Sequence, residues 1–301
     1  MAKESAGTKA FLAAWLGWAF DGLDGFLYTL VAIPLVKELL GQGASPASVA
    51  GTAGLVQGIF LVGWAVGGVV FGRLGDTLGR TRTLTLTILT YAAFTGLTFF
   101  AQTWWQLAIL RFLAALGIGG EWAAGSALVT ETLPVRYRHL ASAVLQSGYM
   151  VGMILAALTV GAIGALDYRY IFLVGVLPAV VTLWIRRAVP EPPEWEAQRG
   201  TREVPPVSAL FRGEVRATTW KTLILASVAL TTVWGILYFS TQLVRSLPEV
   251  KAMSPAAQNA LVRNFTIEYT LWNIAGNFLA AFLARWIGYR KAIFLLLVGA
   301  I

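Results

Sequence analysis

The chain has no cysteine and only one histidine, His139, among its 301 residues. Disulfides, thiolate nucleophiles and cysteine metal sites are excluded, and so is a multi-histidine metal centre. Charge is also scarce. Only 13% of residues are charged, against about 25% in soluble domains, while 57% are hydrophobic. A soluble fold would leave too much apolar surface in water, so the composition describes an all-α, polytopic membrane protein. No cofactor is expected. With no cysteine, and its one histidine between apolar runs, the chain offers no constellation for an enzyme.

Spanning the hydrocarbon takes about 20 apolar residues. Eight runs qualify, near 11–36, 51–72, 83–103, 106–130, 140–164, 169–185, 220–245 and 264–284. A ninth begins at Ala292 and reaches only Ile301, short of the about 17 residues that a spanning helix needs. The chain is therefore expected to be truncated at its C-terminal end. The first run carries Asp21 and Asp24 and lacks a cleavage-like end, which marks an uncleaved helix and not a signal peptide.

The net charge is +8, and its placement explains it. With the N-terminus inside, 17 Lys and Arg residues fall in cytoplasmic segments and five outside, with Arg111 inside a helix. This asymmetry predicts a cytoplasmic N-terminus, and it makes a nucleic-acid partner unnecessary. Residues 188–219, rich in proline and charge, interrupt the hydrophobic rhythm and are expected to form a solvated cytoplasmic linker. The predicted organisation is a six-helix bundle over 1–187, this linker, and a partial second bundle over 220–301.

Between the second and third runs lies Gly72-Arg73-Leu74-Gly75-Asp76-Thr77-Leu78-Gly79-Arg80-Thr81-Arg82. A charged, glycine-rich stretch there is expected to be a tight cytoplasmic loop. A weak echo follows 209 residues later, with Gly79 on Gly288, Leu74 on Leu283, Arg82 on Lys291, Gly72 on Ala281 and Asp76 on Arg285.

Charges at bilayer depth cost roughly 2.5–3.5 kcal/mol each on insertion scales and mark candidate sites. Asp21 and Asp24 share one face of the first helix by their i, i+3 spacing. At 1.5 Å per residue, Asp24 lies about 20 Å from the cytoplasmic side and Arg111 about 8 Å from the outer side, which puts them at comparable depth. Asp21 levels similarly with Glu121. Arg111 fits either a structural ion pair or substrate binding. In the seventh run Trp234, Tyr238 and Gln242 form a stripe that suits a cavity wall or an interfacial belt. In the eighth, Asn273 and Asn277 share a face and suit hydrogen bonding to substrate or to the seventh helix. Gly63/Gly67, Gly68/Gly72 and Gly148/Gly152 have the spacing of helix-packing faces.

The pattern Gly72-x-Leu-x-Asp-x-x-Gly-Arg-x-Arg82 resembles the loop between helices 2 and 3 of major facilitator superfamily transporters. The stretch from Arg111 to Arg138, with Gly117-x-Gly-Gly-Glu121 and Glu131-x-x-Pro134-x-x-x-Arg138, resembles the metabolite:proton and sialate:proton symporter branches, as does FDGLDGFLYTL in the first helix. His139 departs from them, standing where glycine commonly follows the arginine. The fifth run lacks the Gly-Pro pair common in drug/proton antiporters of the superfamily.

The resemblance implies a twelve-helix fold with two halves and a proton-coupled symporter for a small organic anion such as a carboxylate or sialate. It implies that Asp76, Arg80, Arg82, Glu131 and Arg138 belong to a cytoplasmic gating network, with Gly72 permitting tight packing and Gly79 a sharp turn. Asp21, Asp24, Arg111, Glu121, Tyr238 and Asn273 are the candidates for proton coupling or substrate binding. The expected partners are a small-molecule substrate, protons and the lipid bilayer, for a monomer in the cell (inner) membrane. The alternatives are a facilitator or exporter of a sugar or other neutral solute, or a non-functional fragment.

Overall fold

The protein, seen here in a computed structural model, is described over residues 2–133, 138–163, 167–198 and 204–299. The described residues contain helices and no strand. In chain order the helices are α1 (Ala2–Leu40), α2 (Pro46–Leu78), α3 (Arg80–Thr98), α4 (Trp104–Thr132), α5 (Arg138–Ile163), α6 (Ile171–Val174), α7 (Pro178–Ala188), α8 (Pro193–Gln198), α9 (Val215–Ser246), α10 (Pro248–Lys251), α11 (Pro255–Ile287) and α12 (Tyr289–Val298). By length and composition, α1 from Gly7, α2, α4, α5 from Leu140, and α9 can each cross a membrane.

Among the described residues that is five spans, fewer than the eight expected. α3 is threonine-rich, and α11 carries Glu268, Asn273 and Asn277. The run 169–185 is not continuous: it breaks into α6 and α7 at the turn Gly175–Leu177. Pro178, at the start of α7, has no N–H to donate and restricts the residue before it.

Local chemistry sets the helix ends. Ser45 caps α2 by accepting from the Ser48 N–H at 3.2 Å, with Pro46 in the first helical position. Thr103 caps α4 through the Gln106 N–H at 3.4 Å, while the Gln106 side chain reaches back to the Gln102 N–H at 2.8 Å.

Contacts group the chain into two compact units, Met1–Ala197 with Arg263–Ile301, and Gln198–Val262. These limits differ from the boundaries expected at 187 and 219. Residues 188–197 belong with the first unit because Glu191 and Trp195 bond to the α2–α3 junction. Residues after 263 belong there too, and Asn277 donates its amide to the Ala143 carbonyl of α5 at 2.8 Å.

In lipid, apolar area does not drive helices together, so close approach must. Within the first unit α1 packs on α5 through Gly148 and Gly152, where added Cβ atoms would meet the backbones of Trp15 and Ala19. α2 packs on α4 through Gly63 and Gly67, against Phe112 and Leu116. Gly68 and Gly72 leave ordinary contact distances of 3.6 Å, so the tight packing expected at Gly72 lies one to two turns earlier.

The stretch Gly72–Arg82 is not a loop. α2 continues to Leu78, α3 starts at Arg80, and the whole connection is Gly79 at φ +112°. Its echo has the same backbone form. α11 is 33 residues long like α2, begins at the equivalent proline after a serine that accepts from the third residue on, and ends at Gly288 with φ +84°. The repeat that is faint in the letters is thus plain in the caps and joints.

Both joints require glycine, but a Cβ at Gly79 would also overlap the Glu191 carboxylate, whereas the space at Gly288 is open. Gly79→Ala should therefore cost roughly 1–3 kcal/mol from strain plus displacement of Glu191, and Gly288→Ala only the strain. Thermal unfolding in detergent should give the larger drop in Tm for Gly79→Ala; equal drops would place Glu191 elsewhere.

Candidate functional site: a buried charge cluster and a latched helix joint

Arg111, two turns into α4, has no exposed surface. Its Nη1 donates to both Asp24 oxygens at 3.1 and 3.2 Å, and its Nη2 to the Asp24 carbonyl at 3.2 Å. The Thr95 hydroxyl of α3 donates to Asp24 Oδ1 at 2.7 Å. The guanidinium lies over the Phe60 ring of α2 at 4.5 Å and the Tyr28 ring of α1 at 5.8 Å. Its Nε has no partner among the described residues. The cation of α4 thus meets α1 and α2, and α3 fixes its counter-ion.

Asp21, one turn from Asp24 on α1, and Glu121, ten residues beyond Arg111 on α4, are both buried. Neither meets a donor among the described residues. Glu121 fits against α1 because residue 17 is glycine; a Cβ there would overlap its carboxylate. Two carboxyl groups can hydrogen-bond to each other only when one carries a proton. The cluster pairs one acid with a cation and leaves two buried acids without a donor among the described residues.

A second site lies at the α2–α3 joint. Arg80, almost buried, bonds Asp76 through Nη1 at 2.8 Å and Glu131 through Nη2 at 2.9 Å and Nε at 3.2 Å. Burial works against its charge, but the bonds from Glu131 and Asp76 outweigh it and hold its pKa above the usual value. Only a guanidinium fork can serve two carboxylates this way.

Sequence reasoning missed the other half of this joint. The Glu191 carboxylate accepts from the Thr81 and Arg82 N–H groups at 3.0 and 3.1 Å, capping α3 from 110 residues away, and the Trp195 indole donates to the Asp76 carbonyl at 3.0 Å. The Pro190-Glu191-Pro-Pro run within the linker was the available signal. Arg82 joins through its backbone, and its side chain is exposed. Arg138 opens α5, but its side chain and Pro134 lie outside the described residues.

Tyr238 is buried on α9 in the second unit. Asn273 donates to the Tyr269 carbonyl at 2.9 Å and lines an open groove of about 510 Å³ with Met150, Trp272 and Asn277.

The family model of the Major Facilitator Superfamily matches residues 11–301. The chain belongs to this superfamily. Among similar superfamily proteins, the sialic acid transporter NanX of Escherichia coli is 35% identical over 188 residues, 62% of this chain and 45% of NanX. The cis,cis-muconate transport protein of Acinetobacter baylyi is 34% identical over 63% of this chain and 45% of its own. The chain spans about half the length of the curated relatives it matches. The xylose transporter XylE of E. coli, in a partially occluded inward open conformation, shares the fold at TM-score 0.68 and 18% identity, covering 93% of this chain and 74% of XylE. These are transporters, not enzymes, and this superfamily member is a polytopic membrane protein.

Removing Asp24 leaves Arg111 buried and unpaired. Asp24→Ala should cost about 3–5 kcal/mol, and adding Arg111→Met should restore most of it. Unfolding free energies in mixed micelles form the cycle; a double variant no more stable than Asp24→Ala would contradict the pairing.

Proposed function

We propose that the protein is a secondary active transporter that carries a small organic anion together with protons by alternating access. The observation behind this reading is the imbalance of the buried cluster, in which, among the described residues, Asp21, Asp24 and Glu121 accompany Arg111 alone. Without protons it would hold two uncompensated negative charges at membrane depth, a costly state. One proton resides between Asp21 and Glu121. A further proton on Asp24 releases the guanidinium, which then receives an anionic group of the substrate. Its loss returns Asp24 to Arg111 and expels the anion. The names of the sialic acid and cis,cis-muconate relatives support an acid as cargo.

The Asp76–Arg80–Glu131 network, with Glu191 and Trp195, acts in this reading as a cytoplasmic gate that ties the ends of α2, α3 and α4. The transporter works as a monomer in the cell (inner) membrane with its N-terminus in the cytoplasm, in keeping with the distribution of Lys and Arg. Rocking of repeated halves about a midplane site gives access to each side in turn.

Uptake into proteoliposomes tests the coupling. An inward proton gradient should drive accumulation of a sialate or muconate above its outside concentration, with alkalinisation of the medium. Asp21→Asn and Asp24→Asn should reduce this to equilibration or less. Accumulation undiminished in both variants contradicts the proposal, and uptake without proton movement would favour a facilitator.

A further inference from the structure

The proposed coupling uses the charges but not the rings beside them. Trp18 of α1, Trp64 of α2, Trp122 of α4 and Tyr149 of α5 form one continuous cluster. Ring centroids lie 4.5 Å apart for Trp18–Trp122, 5.0 Å for Trp18–Tyr149 and 6.3 Å for Trp18–Trp64. Trp64 continues to Phe60 at 6.0 Å, and Phe60 carries the Arg111 guanidinium over its face. A path of aromatic rings thus runs from Trp122, which is 40% exposed, to a cation with no exposure at all.

Two details separate this path from ordinary core packing. Its outer ring, Trp122, is partly exposed instead of covered, so part of its surface is open to a molecule of another kind. Its central residue Trp18 is 6% exposed, and the indole N–H has no acceptor among the described residues. A buried indole N–H normally finds one, because leaving it bare costs about 1–3 kcal/mol. The missing partner is an acceptor oxygen, next to a ring surface that takes flat, polarisable groups. Asp21 lies one turn along from Trp18, and Glu121 precedes Trp122, so a molecule seated here adjoins the carboxyl pair.

We infer that Trp122 and Trp18 receive the flat, conjugated part of the substrate, with the Trp18 indole N–H donating to one of its oxygens, and that this surface selects planar unsaturated acids over puckered saturated ones. The inference rests on the organic-anion reading above and adds its selectivity. An aromatic contact of this kind is worth roughly three- to tenfold in affinity.

Benzoate and cyclohexanecarboxylate have one charge each and nearly equal size, but only benzoate is flat. Titration calorimetry on the purified chain in nanodiscs should show benzoate binding tighter by about that factor. Trp122→Leu, at an exposed position, should bring the ratio of the two affinities close to one, and Trp122→Phe should retain part of the preference. Trp18→Phe keeps a ring but no N–H, and should weaken both acids alike. Equal affinities in the parent protein, or a Trp122→Leu variant that keeps the preference, overturn this inference and leave the anion reading standing. Absence of binding by either acid overturns this inference, and absence of muconate binding as well overturns the anion reading with it.

Discussion

A guanidinium without any exposed surface governs the interior of this bundle. Arg111 cannot reach water, so its charge must be met within the protein, and Asp24 meets it with both carboxylate oxygens and its main-chain carbonyl. The demand organises the neighbours. α1 supplies Asp24 and Tyr28, α2 supplies Phe60, and α3 supplies Thr95 to fix the carboxylate. Helices come near enough for this only because Gly63, Gly67, Gly148 and Gly152 let backbones touch. Packing and electrostatics are here one requirement.

The same geometry leaves the buried Asp21 and Glu121 without a donor among the described residues. A cation placed between them would produce a second inert ion pair. Without one, their charge state depends on a proton, and with it the electrostatic balance around Arg111. A site that must change charge to release or hold an anion needs such an adjustable partner, whereas the Asp76–Arg80–Glu131 network, at a joint of helices, needs only to hold or let go.

Much of this was legible in the letters, because depth along a helix follows from residue count alone. The rise per residue levels Asp24 with Arg111 and Asp21 with Glu121, and the resemblance relates Arg80 to Asp76 and Glu131. The failures have physical causes as well. Gly72–Arg82 reads as a loop because its glycines and charges look like one, yet a single positive-φ residue is enough to turn between two helices. Glu191 and Trp195 read as parts of a solvated linker, since no local pattern announces a cap supplied from 110 residues away. The path of rings from Trp122 to Phe60 stayed hidden because an aromatic residue in an apolar run looks the same whether it packs or binds. The repeat shows the reverse: poor in matching letters, it is preserved in the serine caps and in Gly79 and Gly288, where backbone geometry permits little else.

The central claim is that one proton sits between Asp21 and Glu121 while Asp24 pairs with Arg111. Infrared spectroscopy of the protein in lipid at neutral pH tests it most directly, through the carbonyl stretch of a protonated carboxyl group. The account predicts such a band, shielded from deuterium exchange, that is lost in Glu121→Gln and Asp21→Asn and kept in Asp24→Asn. A spectrum without a protonated carboxyl, or a band that disappears only with Asp24, would contradict it.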